Sequence, residues 1–124
     1  MRIDRNAVAP GPVIAGFSRG GFRIDENVYH ALLITPERAD GWAPPPLTEL
    51  SDGDVAAVLT IDPVPEFVLL GTGPTLIRPP HSFIAALEKR GIGVEAMDSR
   101  AAARAWGMLR AEGRHIVGAL YPLD

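Results

Sequence analysis

A chain of 124 residues, 47% of them hydrophobic, can build one packed core and is too short for two ordinary domains. Twelve basic and fifteen acidic side chains leave a formal net charge of −3, the wrong sign for a dedicated nucleic-acid binder, and the absence of cysteine excludes disulfides, thiolate catalysis and Cys-ligated metals. The charge is uneven: residues 1–66 hold five basic and ten acidic groups, residues 67–124 hold seven and five, so an anionic partner prefers the C-terminal half.

The opening Met1-Arg2-Ile3-Asp4-Arg5-Asn6 lacks the apolar core of a signal peptide. No stretch approaches the ~20 apolar residues of a bilayer span, so the expectation is a cytoplasmic protein that does not itself cross a membrane. Val13–Phe17 and Gly21–Ile24 read as short strands with Ser18-Arg19-Gly20 at the bend. Asp25-Glu26-Asn27 then turns the chain into a β-rich run from Val28 to Thr35, which makes the start an antiparallel meander. Trp42-Ala43-Pro44-Pro45-Pro46 is a stiff polyproline connector or a segment for an aromatic-groove partner.

Beyond that loop the periodicity changes. Ser51 or Asp52 caps a helix carrying Val55, Val58 and Leu59, which ends near Asp62-Pro63 because proline disfavours helix at the residue before it. A strand at Phe67–Leu70 ends on Gly71-Thr72-Gly73-Pro74. Pro79-Pro80 opens a second helix with Phe83, Ile84 and Leu87 inward and Gly91 as its stop. Strand Gly93–Met97 hands over at Asp98-Ser99 to a third helix, where Ala102, Ala105, Trp106 and Leu109 form an apolar stripe. The near-continuous apolar run Ile116–Tyr121 reads as a strand covered on both faces. The predicted architecture is one α/β domain over 1–124, a meander followed by β-α-β-α-β. Ligands are favoured at the carboxyl ends of its parallel strands.

These residues resemble a known family. Leu70-Gly71-Thr72-Gly73, then Leu87 with Gly91 through Met97, then Ala101 through Leu109 and Glu112 through Leu120 are similar to domain-of-unknown-function family 498. Its members include a mitochondrial respiratory complex I assembly factor and a cytosolic adipogenesis-associated protein. The resemblance covers nearly the whole chain and extends to the Gly16–Phe22 hairpin and Trp42. It implies a three-layer α/β fold with a mixed central sheet, no established enzymatic activity, and a protein partner such as a membrane-complex subunit or assembly factor, with placement beside the inner membrane through that partner. The chain departs from the family in having Ser99 where threonine is common and Gly107 where asparagine is common.

The candidate site is the pair of loops after the two parallel strands. Gly71-Thr72-Gly73 begins a dinucleotide fingerprint, but Leu76 stands where the third glycine belongs and Pro74 lacks an N–H, so no nucleotide cofactor is expected. Two readings remain for the turn: glycines accepting positive φ, or a weak anion site in which Thr72, Gly73 and Ser99 are first contacts at two helix starts. Arg78 and Arg100 would reinforce such an anion, and Asp98 would oppose it unless paired. Arg100 and Arg104 lie one turn apart on the third helix, an arrangement local helix physics disfavours. Either Glu95, Asp98 or Glu112 pairs with them, or they face an anionic ligand or acidic partner surface.

Gly16-Phe17-Ser18-Arg19-Gly20 matches the G-x-S-x-G pattern, with Asp98 and His115 in triad order, but a strand rather than a helix follows. His30, His81 and His115 lack metal-ligand spacing. No catalytic residue and no metal is assigned. Two functions stand: a non-catalytic interaction or assembly module, and a small-anion or metabolite-binding domain or weak enzyme using the Gly71–Gly73 and Asp98–Ser99 loops.

Overall fold

The computed structural model describes residues 11–124; residues 1–10, part of the domain expected over 1–124, lie outside the described residues. The meander forms as β1 (Gly16–Ser18), β2 (Gly21–Ile24) and β3 (Asn27–Tyr29), antiparallel in that order. Arg19 and Gly20 both take positive φ, 52° and 75°, the twist a two-residue hairpin turn needs. The Gly16–Gly20 stretch is therefore strand and turn leading into β2, with no helix behind Ser18.

The run from Val28 to Thr35, expected as one strand, is two. After β3 the chain leaves the small sheet, and β4 (Leu32–Ile34) enters a second sheet with all three residues buried. No glycine or proline marks the break, so a β-rich run reads as continuous where tertiary packing divides it. β5 (Ala39–Gly41), which the periodicity did not predict, follows a turn held by Thr35, whose hydroxyl oxygen accepts the Glu37 and Arg38 N–H groups at 3.1 Å each.

The expected helix after Ser51 begins as a 3-10 turn, Asp52–Val55, and continues as the short α1 (Ala56–Leu59). Asp54 tightens the entry by accepting both the N–H and the hydroxyl of Ser51, at 2.9 and 3.0 Å. Next come β6 (Phe67–Gly71), α2 (His81–Glu88), β7 (Gly93–Met97), α3 (Ser99–Ala111) and β8 (Val117–Leu120). At the end of α2, Gly91 N–H bonds Glu88 O and Ile92 N–H bonds Leu87 O, both at 3.0 Å, which closes the helix on the predicted glycine and buries Ile92.

The central sheet has the order β5-β4-β8-β6-β7. β6 is parallel to both β7 and β8, whereas β4 is antiparallel to β8 and β5, so the sheet is mixed. Alternate residues of β6 feed two cores. Val68 and Leu70 pack with Phe83, Leu87, Val58 and Leu59 under α1 and α2, and Leu69 packs with Trp106, Ala102 and Phe22 under α3 and the small sheet. The result is three layers, with the loops after β6 and β7 together at one end of the sheet.

Candidate functional site

β6 and β7 run parallel in register, Gly71 beside Met97, so the loops that follow emerge side by side. They are sewn together. Ser99 N–H donates to Gly73 O at 2.8 Å, Gly73 N–H donates to Ser99 Oγ at 2.8 Å, and Ser99 Oγ donates to Tyr121 O at 2.7 Å. Tyr121 N–H closes the ring on Gly71 O at 2.9 Å. Ser99 is fully buried here. Gly71 permits the approach, because a Cβ there would stand 2.7 Å from Ser99 Oγ and 3.0 Å from Ser99 Cα; Gly73 holds φ of 108°. Thr72 is also committed: its N–H bonds Met97 O at 2.9 Å, its hydroxyl donates to Thr75 O at 2.7 Å, and its oxygen accepts Ile77 N–H at 3.0 Å.

Asp98 caps α3, accepting Ala101 N–H at 2.9 Å. Arg100 and Arg104 pair with none of Glu95, Asp98 and Glu112, and form no ion pair among the described residues. Arg100 instead sits over the half-exposed ring of Phe17, 5.7 Å from its centroid. Arg78 is exposed, on the loop leading into α2. The structure thus brings Gly71, Thr72, Gly73, Asp98 and Ser99 together and leaves the three arginines on the surface around them.

The formal triad does not assemble. Asp98 follows the carboxyl end of β7, while His115 precedes the amino end of β8; with both strands parallel to β6, the two lie at opposite ends of the sheet. His115 Nε2 lies 2.6 Å from Pro63 O, and the backbone N–H of His115 donates to Glu66, which also takes two hydrogen bonds from Arg114. Arg114 first and the His115 N–H second hold the Glu66 carboxyl below the usual carboxylate range.

Sequence reasoning passed over the surface beside this knot. The loop between β6 and α2 exposes Leu76 and Ile77, 64% and 47% accessible, next to an apolar groove of about 420 Å³ lined by Leu76, Arg78, Pro79, Ile84, Val94 and Ala96. Two large apolar residues inside a Pro-rich loop were the available signal. On the opposite face of β7 a second concavity of about 300 Å³ is lined by Phe67, Leu69, Glu95, Met97, Leu109 and Arg114. Among the described residues no helix is long and apolar enough to cross a membrane, and no acidic or histidine cluster could hold a metal.

Known proteins share this fold. The chain is 29% identical over 98% of its length to a Danio rerio protein named NADH dehydrogenase [ubiquinone] 1 alpha subcomplex assembly factor 3, spanning 71% of that protein. It is 32% identical to an uncharacterized protein of Rhodobacter capsulatus, over 89% of this chain and 84% of the other. A solution structure from Bordetella pertussis, described as an Mth938-like domain, superposes with a TM-score of 0.76 at 27% identity, covering 100% of this chain and 92% of that one. Residues 14–121 match the model of a protein family of unknown function, DUF498/DUF598, and the chain belongs to that family.

Proposed function

We propose that this protein is a non-catalytic interaction module that assists the assembly of a multi-subunit respiratory complex. One observation carries the reading: similarity to a named complex I assembly factor runs through 98% of the chain. The polar groups at the strand ends support it, since Thr72, Gly73 and Ser99 spend their donors on the chain itself. Arg100 and Arg104, unpaired among the described residues, suit an acidic surface of the partner better than they suit helix stability. A small anion at Gly71–Gly73 would have to displace the Ser99 hydroxyl from the Gly73 N–H, so the ligand-binding reading takes second place.

Deleting the gene in its host tests the proposal. The expected result is loss of fully assembled NADH dehydrogenase on native gels, with subassemblies accumulating, restored by the intact gene. An unchanged amount of assembled enzyme overturns it. Sulfate titration tests the second reading: joint movement of the Thr72, Gly73 and Ser99 amide resonances would revive it.

A further inference from the structure

We infer that β7 is a docking edge, which takes an extended segment of a partner protein with an apolar–basic–apolar alternation as a sixth strand of the central sheet. The inference rests on the assembly reading and names the chemistry of the contact that reading needs.

β7 is the last strand of the order β5-β4-β8-β6-β7, so one side of its backbone has no neighbouring strand. The parallel ladder fixes which groups face outward. Gly93 N–H donates to Glu66 O at 3.0 Å and Met97 O accepts Thr72 N–H at 2.9 Å, so Gly93, Glu95 and Met97 turn their backbone groups to β6. The alternation leaves the N–H and C=O of Val94 and Ala96 pointing away from the sheet. A strand laid antiparallel on this edge makes up to four backbone hydrogen bonds with those two residues.

The side-chain environment states what that strand carries. Its residues opposite Val94 and Ala96 share their face and reach the apolar groove, where Leu76 and Ile84 stand. Between them, one residue falls opposite Glu95, on the other face. Glu95 is exposed and has no ion-pair partner among the described residues. An unpaired carboxylate in the middle of an edge strand repels acidic and tolerates basic cross-strand neighbours. Pairing of β7 with a second copy is opposed by the same group: the register that sets Val94 of each copy against Ala96 of the other puts the two Glu95 carboxylates directly opposite. The other edge, β5, differs. It is three residues long, and its Asp40 is already held by Arg38 through two hydrogen bonds of 2.8 Å.

The probe is a capped five-residue peptide with isoleucine second and fourth, lysine in the middle and threonine at both ends, titrated into the isotope-labelled intact chain. The expected result is movement of the Val94 and Ala96 amide resonances with slowed exchange at both. Replacing the peptide's lysine by glutamate weakens binding about fivefold, and Glu95→Lys reverses the preference. Ala96→Pro, which removes an outward N–H and no ladder bond, abolishes binding while the α3 resonances stay in place. Still Val94 and Ala96 amides at millimolar peptide, shifts centred elsewhere, an order of preference indifferent to Glu95→Lys, or a β7-dependent dimer in sedimentation each overturn the inference. Peptide binding that obeys the charge rule in a host whose NADH dehydrogenase assembles without the gene would sink the assembly reading and leave the edge standing. Failed binding with a deletion phenotype does the reverse.

Discussion

The Ser99 hydroxyl bridges two strand ends, donating to the Tyr121 carbonyl at 2.7 Å while accepting from the Gly73 N–H at 2.8 Å. Ser99→Ala strands both groups in a buried position, and each buried unsatisfied group costs about 1–3 kcal/mol. The expected loss is therefore about 2–4 kcal/mol in denaturant unfolding, with m unchanged. Ser99→Thr keeps the hydroxyl and recovers most of it.

Trp106 is fully buried against the sheet, and its ring N–H donates to Pro12 O at 3.1 Å. Trp106→Ala should destabilise the domain by about 3–5 kcal/mol and release the segment around Pro12. A loss under about 1 kcal/mol by chemical denaturation would contradict this packing role.

Gly107 lies within α3, and a Cβ built on it meets nothing within 4 Å. Gly107→Ala should stabilise the protein by about 0.8–1 kcal/mol, the helix-propensity difference, seen as a higher melting temperature.

Tyr121 predicts an alkaline limit. Burial first, and the Asp54 carboxylate second, push its phenol up to about 12, and the neutral O–H donates to Pro45 O at 2.8 Å. The unfolded chain ionises near pH ~10, so between pH ~10 and ~12 the unfolded state has shed a proton the folded state keeps, and stability falls as pH rises. The contribution lost is about 1–2 kcal/mol, allowing for solvent near the ring edge. Comparing unfolding of the parent and Tyr121→Phe from pH 9 to 11 isolates it: the parent loses the difference with pH and the variant does not.

Several parts of this design were legible in the sequence for local reasons. The Trp106 stripe, the Gly91 stop and the Gly71-Thr72-Gly73 turn each follow from periodicity or backbone freedom within a few residues. The division of Val28–Thr35 and the existence of β5 were not, because both depend on which sheet a β-rich stretch joins, and only packing decides that. The candidate loops were placed side by side correctly from the β-α-β pattern. What the pattern could not give was their hydrogen-bond bookkeeping: Ser99 reads as an available hydroxyl until Tyr121, 22 residues away, is seen to accept from it. Edge position is likewise invisible before the strand order is known.

The order of the central sheet also makes one strand indispensable to its continuity. β8 lies between β4 and β6 and, among the described residues, is their sole backbone link. A chain that stops short of Val117 lacks the strand with which Leu32–Ile34 and Val68–Gly71 both pair. Truncation ahead of Val117 therefore splits the central sheet into two unconnected ladders, β5-β4 and β6-β7.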